Sequence, residues 1–187
     1  MLLCQYVSPR PVQIAAYNVI FNTQTHLLVA AATAAGKTEA AFLPVLTLLQ
    51  ETPATTIGIF YISPIKALIN DQFARLNDLL KTADIPVYSW YSDVPQSHKN
   101  KLLKNPQGIL QITPESLGSL LINKHKELIK LFGDLRFVIF DEIHALMGSE
   151  RGDQIIYQLQ RLAKPEPNLD VLVYPQLSVI TQWLKNC

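Results

Sequence analysis

Blocks of apolar residues in this chain switch between the period of a strand and the period of a helix. His26 to Ala31 is an apolar run and predicts a central strand, buried on both faces. Lys37 to Gln50 then carries Ala, Leu and Phe on one side, as a helix does. Thr56 to Ile62 predicts a second strand, which Ser63-Pro64 breaks. Ala67 to Leu80 is amphipathic, with Leu68, Phe73, Leu76 and Leu80 near helical spacing. Val87 to Tyr91 predicts a short strand, and Gln96 to Lys104 a polar, exposed helix. Ile109 to Thr113 is a strand stopped by Pro114, and Glu115 to Leu131 a helix interrupted near Asn123. Phe137 to Phe140 is the most β-rich run, and Asp141 ends it. Arg151 to Ala163 predicts a helix that Pro165 and Pro167 terminate, with a last strand over Leu169 to Tyr174. Strands alternating with helices predict an α/β fold: a mainly parallel central sheet with helices on both faces.

Two segments on this pattern carry chemistry. Ala31-Ala32-Thr33-Ala34-Ala35-Gly36-Lys37-Thr38 fits the phosphate-cradling loop G-x-x-x-x-G-K-[ST], with Ala31 in the place of the first Gly. An apolar strand precedes it and a helix follows, which is the context the loop requires. Free N–H groups of the loop and of the helix start then converge on one anion. Thr33, Ala34, Ala35, Gly36, Lys37, Thr38 and Glu39 are the candidate ATP contacts. Lys37 would add a charge at the β- and γ-phosphates, and the Thr38 hydroxyl would hold Mg²⁺. Gly36 lets the backbone pass close to the phosphates.

The second segment, Phe140-Asp141-Glu142-Ile143-His144, is an acidic pair at the end of an apolar strand. In an open α/β sheet that edge is where ligands bind. Asp141 would orient Mg²⁺ through water, and Glu142 would position or polarise the attacking water. Asp alone in this place is ordinarily a cap for the next turn; two adjacent acids, together with the loop, point to catalysis. His144 is a candidate coupling residue on the γ-phosphate side or toward a neighbouring domain. His26, His98 and His125 stand in no such pattern.

Composition narrows the class. At 187 residues, 49% hydrophobic and 17% charged, the chain fits one well-packed domain. A formal net charge of +1 advertises no global basic field for nucleic acid, which leaves room only for a local groove of backbone amides and a few Lys. Cys4 and Cys187 form neither a metal-ligand spacing nor a disulfide framework. The N-terminal residues lack the basic region of a signal peptide, and the apolar run before Gly36 is too short to span a bilayer. These features predict a soluble, cytoplasmic protein.

In order along the chain, the motifs resemble the first RecA-like domain of superfamily 2 DEAD/DEAH-box helicases, within them the large helicase-related (Lhr-like) group. Arg10-Pro11-Val12-Gln13 resembles the Q-motif, and the resemblance implies that Gln13 reads the adenine edge. Ala31 to Glu39 resembles motif I, and Tyr61 to Leu68 motif Ia. Thr113-Pro114-Glu115-Ser116-Leu117 resembles motif Ib, and Asp141 to His144 motif II in its DEIH form; Arg151-Gly152 after it also fits. Membership implies ATP, Mg²⁺ and a single- or double-stranded DNA or RNA partner, with Ser63, Pro64, Lys66, Thr113, Pro114 and Glu115 along one strand's backbone. Ser-Pro and Thr-Pro at these points also suit an ordinary helix start; as an ordered set they fit the family.

The family uses two RecA-like domains, and the second supplies an arginine finger that is worth about 10³–10⁵ in rate. This length holds one domain, so a separate chain carrying the second is an implied partner. The expected division is an N-terminal extension over residues 1–9, the RecA-like domain over 10–174 and a divergent, truncated tail over 175–187. Motif III, usually Ser-Ala-Thr, is reduced to Ser178, a candidate coupling remnant. Loss of its strand would bare the sheet edge beside Phe137 to Phe140 and make the chain marginally soluble. Three functions fit to different degrees: the ATP- and nucleic-acid-binding half of a helicase, weak or inactive alone; an inactive remnant or nucleotide-responsive binding module; and a small P-loop kinase, which the scattered arginines disfavour.

Overall fold

A computed structural model describes residues 8–23, 25–31, 35–146, 148–163 and 178–184. Six parallel strands form one sheet in the order β1-β6-β5-β2-β4-β3. They are β1 (Leu27–Ala31), β2 (Ile57–Ile62), β3 (Val87–Trp90), β4 (Gly108–Ile112), β5 (Phe137–Phe140) and β6 (Ser178–Leu184). The helices are α1 (Pro11–Asn22), α2 (Lys37–Glu51), α3 (Lys66–Ala83), α4 (Gln96–Lys104), α5 (Pro114–Asn123), α6 (Leu128–Phe132) and α7 (Glu150–Ala163).

Strand alternation divides the core into two layers. Ile59, Tyr61, Ile109, Phe137 and Ile139 face one way and pack with Phe42 and Leu46 of α2 and Ile69 and Leu80 of α3. Phe60, Ile62, Leu110, Ile112, Val138 and Phe140 face the other way, against Leu102 of α4 and the apolar sides of α5, α6 and α7. Helices therefore cover both faces. At the start of β2 the register slips, so that Ile57 to Ile59 oppose only Gly108 to Ile109. Ile57 joins Phe60 and Ile62 as a result, on the α4–α7 side. Gly58 takes up the irregularity where a Cβ would lie 2.8 Å from that of Ala54.

Two described elements, α1 and β6, were not expected from the sequence pattern. Helix α1 was not evident from periodicity. The helix expected over Glu115 to Leu131 breaks as anticipated, with a single 3₁₀ turn at His125–Glu127 between α5 and α6. The last strand is Ser178–Leu184; the segment Leu169 to Tyr174 lies outside the described residues. Residues 178–184, read from sequence as part of a divergent tail, thus lie inside the sheet between β1 and β5. The edge beside Phe137 to Phe140 is not bare: β5 pairs with β2 on one side and β6 on the other. The premise for marginal solubility is removed with it. Among the described residues no helix is long and apolar enough to cross a membrane.

Candidate functional site

The register brings the motifs into one row. Ile62 of β2 is level with Ile112 of β4 and Phe140 of β5, and Trp90 of β3 is level with Ile112. The next residue on each strand therefore falls on the same C-terminal edge: Asp141, Ser63, Thr113 and Tyr91 in lateral order. Backbone bonds carry the row past the strands, from the Asp141 N–H to the Ile62 carbonyl at 3.0 Å and from the Ser63 N–H to the Ile112 carbonyl at 3.4 Å. Adjacent strands lie about 4.8 Å apart, so segments far apart in sequence become close neighbours.

At the end of β1 the chain turns into α2 through Gly36, which has φ 85° and ψ 30° and caps the helix. Lys37, Thr38 and Glu39 form its first turn, half-buried, with N–H groups that precede the first intrahelical bond, from the Ala40 N–H to the Gly36 carbonyl. That is the geometry of an anion site. Ala35 is described beside them, whereas Thr33 and Ala34 lie outside the described residues. Gln13, at the third position of α1, is buried against this turn. Its Oε1 accepts the Arg10 N–H at 2.9 Å, and its Nε2 lies 2.8 Å from where a Cβ on Gly36 would be. The structure thus packs Gln13 directly against the Gly36 turn.

Asp141 continues the alternation of Phe137 and Ile139 and so faces the α2 layer. It is buried, and its Oδ2 accepts the Tyr61 hydroxyl at 2.5 Å. Burial, then the charge and hydrogen bond of Asp141, then the charge of Glu142, push the Tyr61 phenol far above its ordinary range, so it stays a donor. Glu142 adopts φ 50° and ψ 47°, a left-handed conformation that costs a non-glycine residue about 1–2 kcal/mol. The turn directs the chain into a 3₁₀ segment, Ile143–Ala145, that includes the backbone of His144.

The candidate ligands, the Asp141 carboxylate and the Thr38 hydroxyl, are hard oxygen groups of the kind Mg²⁺ takes. Among the described residues no group of three or more His, Cys, Asp or Glu could hold a metal alone.

The candidate strand-contact residues sit at the starts of α3 and α5. Ser63 and Thr113 are buried, and the Thr113 hydroxyl bonds that of Ser116 at 3.0 Å. Lys66 is engaged with Asp93 at 2.9 Å and with the Ser92 hydroxyl, and lies 5.9 Å from the Tyr91 ring centre. Glu115 is paired with Arg151 at 2.6 Å, and Arg151 also donates to the Pro64 carbonyl at 3.4 Å. Arg151 therefore ties the Ser63-Pro64 turn to the Thr113-Pro114 turn. Ser178 does not reach this edge: it is level with Phe137, at the opposite end of β5. Tyr61 is the site residue whose role the sequence reading missed; its signal is a single phenol in an otherwise apolar buried strand, where a hydroxyl needs a partner.

Comparison with known proteins agrees with this geometry. The family model for the DEAD/DEAH box helicase matches residues 10–174. The Lhr helicase/uracil glycosylase of Escherichia coli (strain K12) is 34% identical over 178 residues, which cover 84% of this chain and 11% of that protein. The ATP-dependent helicase Lhr-Core of Saccharolobus solfataricus is 37% identical over 169 residues, covering 83% of this chain and 19% of that one. The chain thus spans a small part of these relatives. Among solved structures, Mycobacterium smegmatis helicase Lhr bound to ssDNA and AMP-PNP superposes with a TM-score of 0.80 at 29% identity, over 96% of this chain and 23% of that one. The helicase Mss116 bound to ssRNA shares the fold, with a TM-score of 0.76 at 18% identity over 97% of this chain and 37% of that one.

Proposed function

From the premise that this chain belongs to the DEAD/DEAH box helicase family, we propose that it is the half of a helicase that binds ATP and nucleic acid. The observation that carries the reading is the shared sheet edge. It sets the acidic pair and both Pro-containing turns in one row, beside a left-handed Gly36 that opens α2. In this reading the first turn of α2 and Lys37 receive the β- and γ-phosphates, with Gln13 on the adenine side. Thr38 and Asp141 hold Mg²⁺, which when bound neutralises charge on the phosphates. Glu142 orients the water and takes its proton.

The nucleic-acid strand runs along the starts of α3 and α5, over Ser63, Pro64, Thr113 and Pro114. Helix N–H groups there bind phosphates without reading sequence. Lys66 and Glu115 act through their ion pairs with Asp93 and Arg151, the first contributing charge and the second holding the turns in place. A second RecA-like domain, on this protein or a separate chain, closes the cleft and supplies the arginine finger, so turnover by these 187 residues alone is slow. His144 is assigned the coupling between the two.

The test is ATP binding and turnover by the purified chain, with and without single-stranded DNA or RNA. The expected result is that Mg-ATP raises the melting temperature in the wild type and in Glu142→Gln, and does not in Lys37→Ala. Turnover falls by about 10²–10³ in Glu142→Gln. A melting temperature indifferent to Mg-ATP, or raised equally in Lys37→Ala, would overturn the assignment.

A further inference from the structure

A buried polar contact at the site joins the first residue of the Tyr61–Leu68 segment to the first residue of the acidic pair. The Tyr61 hydroxyl reaches from β2 to the Asp141 carboxylate of the next strand at 2.5 Å, and both groups are buried. The Tyr61 ring is itself held from two sides. Phe42 of α2, the helix that opens at the phosphate loop, lies 5.5 Å away between ring centres. Phe73 of α3 meets it edge-on at 5.3 Å, and Phe42 and Phe73 contact each other at 5.8 Å. A ring gripped in this way has one rotamer, so its hydroxyl has one position.

We propose that Tyr61 is a positioning residue for the divalent-cation site, setting the orientation of the Asp141 carboxylate through its hydroxyl. This rests on the reading of Asp141 as the Mg²⁺ residue. An ionised carboxylate only accepts hydrogen bonds. With Oδ2 tied to a fixed phenol, rotation about the bond to the carboxylate breaks a charge-assisted hydrogen bond in a buried setting. The orientation of the carboxylate is thereby set before cation and nucleotide arrive. Groups that orient metal ligands in this manner are typically worth about 10–100-fold in metal affinity or activity. The clamp also makes the phenol sensitive to both helices that begin at the site, since Phe42 and Phe73 belong to α2 and α3.

The experiment is Tyr61→Phe in the full chain. It keeps the ring in its clamp and removes only the hydroxyl. Binding of a fluorescent ATP is measured without metal and across a MgCl₂ titration, in wild type, Tyr61→Phe, Asp141→Asn and the double variant. Metal-free affinity serves as the control for folding. The expected result is an unchanged metal-free affinity with a Mg²⁺ half-saturation raised about 10-fold or more in Tyr61→Phe, and no further rise when the substitution is added to Asp141→Asn. A Mg²⁺ half-saturation within twofold of wild type would overturn the proposal. So would equal weakening of metal-free and Mg²⁺-dependent binding, which marks a purely structural phenol, or the same rise in the Asp141→Asn background. Nucleotide binding by the wild type that is indifferent to Mg²⁺ would instead sink the Mg²⁺ assignment of Asp141 itself, and this inference with it.

Discussion

The two ends of the parallel sheet treat charge and backbone in opposite ways. At the N-terminal end, Asp134 accepts from the Thr55 N–H at 2.8 Å and from Arg136 Nε at 2.8 Å. Its own N–H reaches the Thr56 hydroxyl, and Arg136 goes on to the Thr52 carbonyl at 2.6 Å. Each charge there meets an opposite charge or a dipole, and the loops before β2 and β5 are stapled together. At the C-terminal end, two carboxylates sit side by side, one buried on a phenol and the next held in a left-handed backbone. One end is closed by its own ion pair; the other carries the two carboxylates assigned to the proposed cation site. A left-handed backbone and a buried carboxylate gather at the edge proposed for the chemistry.

The sharpest way to break this comparison uses two glycines of positive φ. Gly108, at the start of β4, has φ 80°, and a Cβ there would lie 2.1 Å from the Pro86 carbonyl oxygen. Gly36, at the site, has φ 85°, and a Cβ would meet the movable end of Gln13. Gly108→Ala should lose about 2–4 kcal/mol of stability, because the obstacle is backbone. Gly36→Ala should lose only about 1–2 kcal/mol yet abolish the Mg-ATP shift in melting temperature. Urea unfolding and ATP titration of both variants check this; equal stability losses would end the distinction.

A smaller effect tests the closed end. Hydrogen bonds from Arg136, opposed by partial burial and aided by the Thr55 N–H, hold the Asp134 carboxyl below its ordinary value. A depressed folded value adds stability above the unfolded carboxyl range, and that stability fades as pH falls through the folded value. Asp134→Asn should therefore unfold more easily than wild type at pH 7, by about 1–2 kcal/mol, and the gap should narrow below about pH 4. A gap constant from pH 7 to pH 3 would count against the ion pair as its source.

The smallest effect concerns the open end. Asn tolerates the left-handed region better than Glu and carries no charge beside Asp141. Glu142→Asn should raise stability by about 0.5–1 kcal/mol while turnover is lost. A lower melting temperature would show that Glu142 is not strained in the free protein.

Legibility in the sequence followed the strength of one-sided patterning. Strand Phe137–Phe140 and helix Gln96–Lys104 have the bounds their patterns predict, since each is apolar throughout or polar with few exceptions. Helix α1 escaped because its apolar residues ring the helix rather than form a stripe, and only Gln13 and Ala16 are buried. Strand Ser178–Leu184 escaped because polar Thr181 and Gln182 interrupt its apolar run, and its pairing with β1 and β5 identifies it. The motif residues were visible by spacing. Their partners were not: Tyr61 and Asp141 are 80 positions apart, and Arg151 and Glu115 are 36 apart. A pattern along the chain specifies elements, and only the register of the sheet says which ends meet.

Strand β6 has a consequence for how the protein comes into being. Strands β1 and β5, which carry the phosphate loop and the acidic pair, do not touch each other in the sheet; Ser178–Leu184 is the wedge between them. On a ribosome, the stretch that sets their spacing is made about 150 residues after β1, after all the other described strands. Until it arrives, no strand joins β1 to β5, so a ligand held by residues at the ends of both is expected to stabilise the domain only once Ser178–Leu184 has been made.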